Sequence, residues 1–250
     1  VGYSPSEFGA EVITGPLFKW FGSKWLSSKL YPAPIHDRIF EPFAGGAGYS
    51  LRHHEKQVTI WEEDDLPREL WEWIIGEATE ALVREIPVDV PQGTDIRTLG
   101  LSRGQELLLK HWQRTNSVGD CWTISPWGHK PGQWTENTRA RVSEEISGVK
   151  HWKVERVRPD QVGTYFIDPP YIYNYRYRFK KVGFDHKALV EKIAMIPSGS
   201  QIIACEAACQ KTGKVPDYLP FSPFASRITS RRKTHNNHHS SEYLYHEIRG

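Results

Sequence analysis

The feature that most constrains this chain is a short apolar run, Arg38-Ile39-Phe40, that ends in Glu41-Pro42-Phe43-Ala44-Gly45-Gly46-Ala47-Gly48 and continues as Tyr49-Ser50-Leu51. It reads as strand, glycine-rich turn and helix, because glycine turns the chain tightly without steric cost. A second β-type run, Gln57 to Trp61, stops at the acidic cluster Glu62-Glu63-Asp64-Asp65. Together these begin a βαβ unit, which commits the chain to a parallel sheet with helices packed on it. The 250 residues can bury one large α/β domain with an insertion, or two small domains.

The pattern changes at Leu66. Leu66, Leu70, Trp73, Ile74, Ala78, Ala81 and Leu82 recur at three- and four-residue steps, as in a helix facing a core. Pro87, Pro91 and Gly93 break it, and Ser102 with Gln105 forms a capping-box pattern that starts a second helix through His111. Between Cys121 and Trp134, two short aromatic-containing arms flank Trp127-Gly128-His129-Lys130-Pro131-Gly132 and read as a β-hairpin. A third helix is expected from about Thr138 to Ile146, ending at Gly148. Beyond it, Trp152 to Val157 and Thr164 to Ile167 read as buried strands. Asp185 caps a helix through Ala188, Leu189, Ile193 and Ala194, and Gln201 to Cys205 is a further strand. Ser226 to Thr229 and Glu242 to His246 flank a polar, basic loop and fit a closing antiparallel hairpin. The expected organisation is a discontinuous α/β domain, residues 1–66 and 148–250, interrupted by a helical insertion over 67–147.

The longest apolar runs, Trp71 to Ile75 and Gln201 to Cys209, are too short to cross a bilayer, and the first residues lack a basic-then-apolar signal pattern. A soluble, cytoplasmic protein is expected. A net charge of +2 is too small to imply nucleic acid by itself, so any basic footprint must be local. Two stretches qualify, Tyr173 to Lys181 and Arg227 to Lys233. Cys121, Cys205 and Cys209 show no paired spacing, and His235, His238 and His239 have no carboxylate or Cys at ligand spacing, so no metal site is expected.

Asp168-Pro169-Pro170-Tyr171 follows the Thr164–Ile167 strand directly. Two prolines fix φ and remove backbone donors, which leaves the carbonyls at the strand end as outward acceptors. A carboxylate, stiff acceptors and an aromatic face suit a planar ring carrying an amino group. The same tetrapeptide is also readable as a rigid turn. The glycine turn brings a ligand close to a helix N-terminus, a geometry also used for phosphate. Glu62, nearest the end of the second strand, is placed to bind ribose hydroxyls, or else decorates a helix N-terminus with its neighbours.

With these motifs in order, the chain resembles the Dam-type DNA adenine methyltransferases, the α group of amino-methyltransferases. The resemblance runs through Phe18-Lys19-Trp20-Phe21-Gly22-Ser23-Lys24, the Glu41-to-Gly48 motif, Arg114-Thr115-Asn116 with Gly119, Pro126 and Gly128, and the Asp168-to-Tyr171 tetrapeptide. It implies a Rossmann-like S-adenosylmethionine-dependent methyltransferase fold, with a mostly parallel sheet, a C-terminal antiparallel hairpin and an inserted target-recognition domain. It implies that Trp20, Lys24, Phe43, Gly45, Glu62, Arg156, Val157 and Asp168 bind S-adenosylmethionine. Asp168 and the carbonyl of Pro169 would accept the hydrogens of the target amine, with Pro170 stiffening the loop and Tyr171 stacking on a flipped adenine. Arg114, Asn116, Trp127 and Lys130 would read duplex DNA, and Tyr173, Arg231, Arg232 and Lys233 would stack on bases or hold phosphates. Cytosine N4, an RNA adenine, or a catalytically silent DNA-binding role on the same fold are the alternatives. A cognate restriction endonuclease is a partner the residues do not specify. Three departures stand out: Ala47 replaces the family's usual glycine, Thr115 replaces an aromatic wedge common in enzymes that read GATC, and Trp127-Gly128-His129-Lys130 differs from their recognition tip.

Overall fold

Alternating side chains on the central strands feed two separate cores, which is why helices cover both faces of one sheet. The computed structural model describes residues 12–113, 121–126, 128, 130–170, 184–207 and 242–250. Its sheet has six strands: β1 (Arg38–Glu41), β2 (Gln57–Ile60), β3 (Lys153–Val154), β4 (Thr164–Ile167), β5 (Gln201–Ala207) and β6 (Glu242–Ile248). They lie in the order β3-β2-β1-β4-β5-β6. All neighbours are parallel except β5 and β6, which pair antiparallel over seven residues from Gln201↔Ile248 to Ala207↔Glu242. This α/β architecture is compatible with a Rossmann-like fold. Among the described residues no helix is long and apolar enough to cross a membrane.

Ile39 on β1, Phe166 on β4, and Ile203 and Cys205 on β5 point into the larger core, together with Val58 and Ile60 of β2. Their neighbours Phe40, Tyr165, Ile167, Ile202 and Ala204 point the other way, where Leu189 and Ile193 of α5 (His186–Ala194) close a smaller core. All four residues of β4 are buried, the signature of a parallel strand covered on both faces. The larger core is continuous with the inserted helices α1 (Asp65–Gly76), α2 (Glu80–Arg84), α3 (Arg103–Trp112) and α4 (Glu136–Glu145). Leu70, Trp71, Ile74, Leu107, Trp112 and Val142 belong to the same cluster as Ile39 and Val58.

The caps follow the sequence. Ser102 and Gln105 form the capping box of α3, and Asp185 accepts the Ala188 N–H to start α5. Four expectations need correction. The run from Leu66 to Leu82 is two helices, because α1 ends where Glu77 and Ala78 both donate to Trp73 O, and an extended Thr79 caps α2 through the Leu82 N–H. Ala81 consequently faces solvent. The helix expected after the glycine turn is only a 3-10 turn, Ser50–His53. The strand expected over Trp152–Val157 shrinks to Lys153–Val154 at the sheet edge, since Trp152 N–H is used by Val149 O in the preceding turn. Finally, the first arm of the expected hairpin pairs elsewhere. Ile96 N donates to Trp122 O at 2.8 Å and Ile124 N to Thr94 O at 2.9 Å, so Trp122–Ile124 run antiparallel to residues 93–96. The hairpin tip residues Trp127 and His129, and the Ser226–Thr229 arm of the closing hairpin, lie outside the described residues.

Helices α1 and α3 approach closely because Gly104 carries no side chain: a Cβ there would overlap the buried Trp73 ring. Gly76, at the end of α1, has nothing near its Cβ position. Gly104→Ala is therefore expected to destabilise the protein by about 1–3 kcal/mol through overpacking. Gly76→Ala should stabilise it by about 0.5–1 kcal/mol through helix propensity. Urea denaturation of the two variants, read against the parent, checks the opposite signs.

Candidate functional site

The chain leaves the adjacent strands β1 and β4 in opposite directions, toward β2 and β3 on one side and β5 on the other. In an open parallel sheet such a reversal opens a crevice at the carboxyl ends of the two strands. Glu41 ends β1 and Asp168 follows β4, so both carboxylates reach this crevice. The segment before β1 lies over it and delivers Lys24, whose Nζ pairs with Asp168 Oδ2 at 2.7 Å with side-chain exposures of only 6% and 15%. Lys24 Nζ also donates to Gly22 O at 3.2 Å.

The glycine loop makes this overlay possible. Gly45 has φ +47°, and a Cβ there would overlap the Trp20 indole, so the ring rests directly on the backbone. From beneath, buried Trp71 donates Nε1–H to Gly45 O at 2.8 Å. At Gly48 a Cβ would strike the backbone of Lys24 and Trp25, with Lys24 C at 2.8 Å. Ala47 takes φ +45° despite its side chain, and its methyl is fully buried. This residue adopts the left-handed conformation that glycine takes freely, at a local cost of about 1–2 kcal/mol.

Glu62 closes the opposite wall. Its two oxygens accept the N–H groups of Gly45 and Asp64, each at 2.9 Å. Burial holds its carboxyl above the ordinary carboxylate range, while those backbone donors pull the other way. Asp64 is buried and caps α1 through the Leu66 N–H at 3.2 Å. Glu41 is 2% exposed and accepts both the N–H and the hydroxyl of Ser50. Burial pushes its carboxyl up to about 8, reinforced by the Asp168 charge and opposed by the Ser50 donors and Lys24. The described lining thus contains the carboxylates Glu41, Glu62, Asp64 and Asp168 but only one cationic side chain, Lys24. Where Glu41 is ionised, above about pH 8, such a cleft favours a ligand carrying positive charge.

Of the residues expected to bind cofactor, Trp20, Lys24, Phe43, Gly45, Glu62 and Asp168 all line this one cleft, together with Pro170. Arg156 and Val157 are set back from it. Arg156 is exposed, lies over the Trp61 ring at 5.0 Å and pairs with Glu63 at 3.4 Å, while Val157, like Phe43, packs against the smaller core. Pro169 is buried at the strand end. Lys130 is exposed on a turn whose Gln133 side chain accepts from Lys19 Nζ at 2.8 Å, which ties that turn to the segment carrying Trp20. Tyr171, Arg114, Asn116, Trp127, Tyr173, Arg231, Arg232 and Lys233 lie outside the described residues. Among the described residues no group of His, Cys, Asp or Glu is arranged to hold a metal ion.

Sequence reasoning missed Glu41, Asp64, Ser50 and His186. Glu41 was visible at the strand end, but its burial was not. His186 faces Pro170 O through Nε2 at 3.2 Å and Phe184 O through Nδ1 at 3.1 Å, bracketing residues 171–183; no spacing rule points to it. No protein-family model matches the chain, and comparison with curated proteins gives no match.

Glu41 binds a proton more tightly in the folded chain than in the unfolded one. Its contribution to stability is therefore whole below pH 4.5 and is lost progressively as the pH rises from there to about 8. Glu41→Gln keeps an acceptor for Ser50 and cannot ionise. It is expected to be more stable than the parent at pH 9 by a few kcal/mol, of the order of 1–3, with a shallower loss of stability between pH 5 and pH 8. Chemical denaturation across that range checks the sign.

Proposed function

We propose that this chain is an S-adenosylmethionine-dependent DNA methyltransferase acting on the N6 amine of adenine, with Asp168-Pro169-Pro170-Tyr171 as its catalytic loop. The observation that carries the reading is Asp168: a carboxylate at the crevice end of a central buried strand, fixed by Lys24 and sharing one cleft with the glycine loop and Glu62. The donor set fits the cofactor. A carboxylate has about four acceptor positions, and Glu62 has committed two of them to Gly45 and Asp64 N–H groups, leaving capacity for ribose hydroxyls. The glycine loop and the Trp20 ring that rests on it line the cleft with little side-chain bulk, which suits a flat ligand, and the excess of carboxyl groups over cations in the described lining suits a cation.

S-adenosylmethionine, when bound, supplies a methyl group on a positively charged sulfur. The rest of the chemistry belongs to the protein. An adenine amine is a weak nucleophile because its lone pair is delocalised into the ring. Asp168 accepts one of its hydrogens and the Pro169 carbonyl the other, which favours a pyramidal nitrogen with its lone pair available. As positive charge grows on that nitrogen, the Asp168 carboxylate stabilises it. Lys24 holds Asp168 Oδ2 in a fixed position, so the carboxylate need not reorganise during the step. The target amine lies inside a duplex, so the base must be flipped at a cost of a few kcal/mol. In this reading Tyr171 stacks on the extruded ring, and Lys130, Arg114 and the basic stretches hold the DNA.

The test is direct. Duplex DNA incubated with the protein and methyl-labelled S-adenosylmethionine, then digested to nucleosides, should yield N6-methyladenine. N4-methylcytosine as sole product, or label recovered only from RNA, overturns the assignment. Asp168→Ala should lower the rate of transfer by about 10²–10³-fold or more while cofactor binding stays measurable though weaker. Turnover near that of the parent overturns the mechanism.

A further inference from the structure

Glu41 has no part in the chemistry above, yet it is buried at the end of β1 and lines the same cleft as Lys24 and Asp168. A carboxyl group removed from water is costly unless something recovers its charge. Ser50 supplies two donors, its N–H at 3.3 Å and its hydroxyl, both to Oε2. Of the charges around Glu41 in the described lining, that of Asp168 opposes its ionisation more than that of Lys24 favours it. Lys24, the one cationic side chain in the described lining, is paired with Asp168. Glu62 and Asp64 line the same cleft with the same sign, and the buried Tyr49 phenol near Glu41 is neutral or anionic. Ionised Glu41 therefore adds a charge that the described lining does not balance and that a cationic ligand in the cleft would compensate.

We infer, on the footing of the methyl-transfer reading, that Glu41 is the residue by which the cleft distinguishes the charged sulfonium of the methyl donor from the neutral thioether left after transfer. It is a specificity residue, acting through charge and not through contact with the target amine. A cation bound beside Glu41 favours its ionised form, and by reciprocity the ionised form favours the cation. The thioether product has lost that charge and gains nothing from the ionisation. Because burial holds the acid protonated until about pH 8, the preference for sulfonium over thioether strengthens as the pH rises through that value. Ser50 tunes the range, since its donors favour the ionised form.

The experiment is calorimetric titration of the full chain with S-adenosylmethionine and with S-adenosylhomocysteine, from about pH 6 to about pH 9.5. The α-amine of each ligand also titrates here, so the reading is the ratio of the two affinities compared between the parent and Glu41→Gln at each pH. In the parent the ratio should rise by about threefold or more in favour of the sulfonium, an increment absent from Glu41→Gln. Ser50→Ala, which removes a donor that favours ionisation, should move the rise to higher pH. Equal ratios in the parent and Glu41→Gln at every pH overturn the inference, as does an unmoved midpoint in Ser50→Ala should the first variant fail to fold. If the folded parent binds neither compound at any pH, the methyl-transfer reading itself fails. That result is distinct from binding of both with no pH-dependent selection.

Discussion

The buried contact between Lys24 and Asp168 is the interaction on which the arrangement of the cleft depends. Taking an ammonium and a carboxylate out of water costs several kcal/mol for each ion, recovered only at contact distance and with further hydrogen bonds. The 2.7 Å separation and the bond from Lys24 to Gly22 O meet that condition. The partners come from opposite ends of the fold's logic, one from the segment before β1 and the other from the turn after β4, so the pair clasps that segment across the glycine loop. Around it the backbone is held in detail. Arg52 Nε donates to Trp25 O at 2.9 Å, Ser28 Oγ donates to Gly48 O at 3.1 Å, and the lack of a side chain at Gly48 lets the two stretches touch. Loss of either ion leaves the other buried and unmatched, so the pair matters more for specifying the geometry than for adding net stability.

The same segment ties the cleft to the inserted helices. Trp112 on α3 donates to Leu17 O at 2.9 Å, Arg141 on α4 donates to Pro16 O at 2.7 Å, and Thr14 N donates to Glu145 at 2.8 Å. Lys19 reaches Gln133 beside the Lys130 turn. Trp20, a residue away, lies on Gly45 and packs against His111, whose imidazole burial holds neutral by lowering it to about 3. The ring wall of the cleft is thus supported by a helix of the insertion, and a displacement on one side has a short, packed route to the other.

Much of this was legible from residues. The glycine turn, the acidic cluster, the capping box at Ser102 and the strand running into Asp168 each encode a local geometry, and the cleft collects Pro170 with six of the eight residues expected to bind cofactor. What escaped has a common physical cause. Pairing partners are not local: Trp122–Ile124 reads as one arm of a hairpin because it is a short aromatic-containing stretch beside a Gly/Pro turn, but composition does not say which backbone will receive its bonds, and residues 93–96 do. The period-four run through Leu82 hid a break at Thr79, because a capping side chain overrides periodicity. Glu41 was in plain view within a motif, yet nothing in its neighbours along the chain shows that packing would seal it from water. The pairing of Lys24 with Asp168 is likewise a three-dimensional fact.

The continuity of the larger core has a consequence for how such a chain can vary. Trp71 and Leu70 of α1 share one packed interior with Ile39 and Val58 of the sheet, and Trp71 also holds the glycine loop by its indole N–H. The helical stretch is therefore not a cassette. Recombination that exchanged residues 67–147 wholesale for those of another protein would remove the floor of the glycine loop along with the element exchanged. Substitution is borne more easily at the rim, around the exposed turn at Lys130, while the helices stay in place.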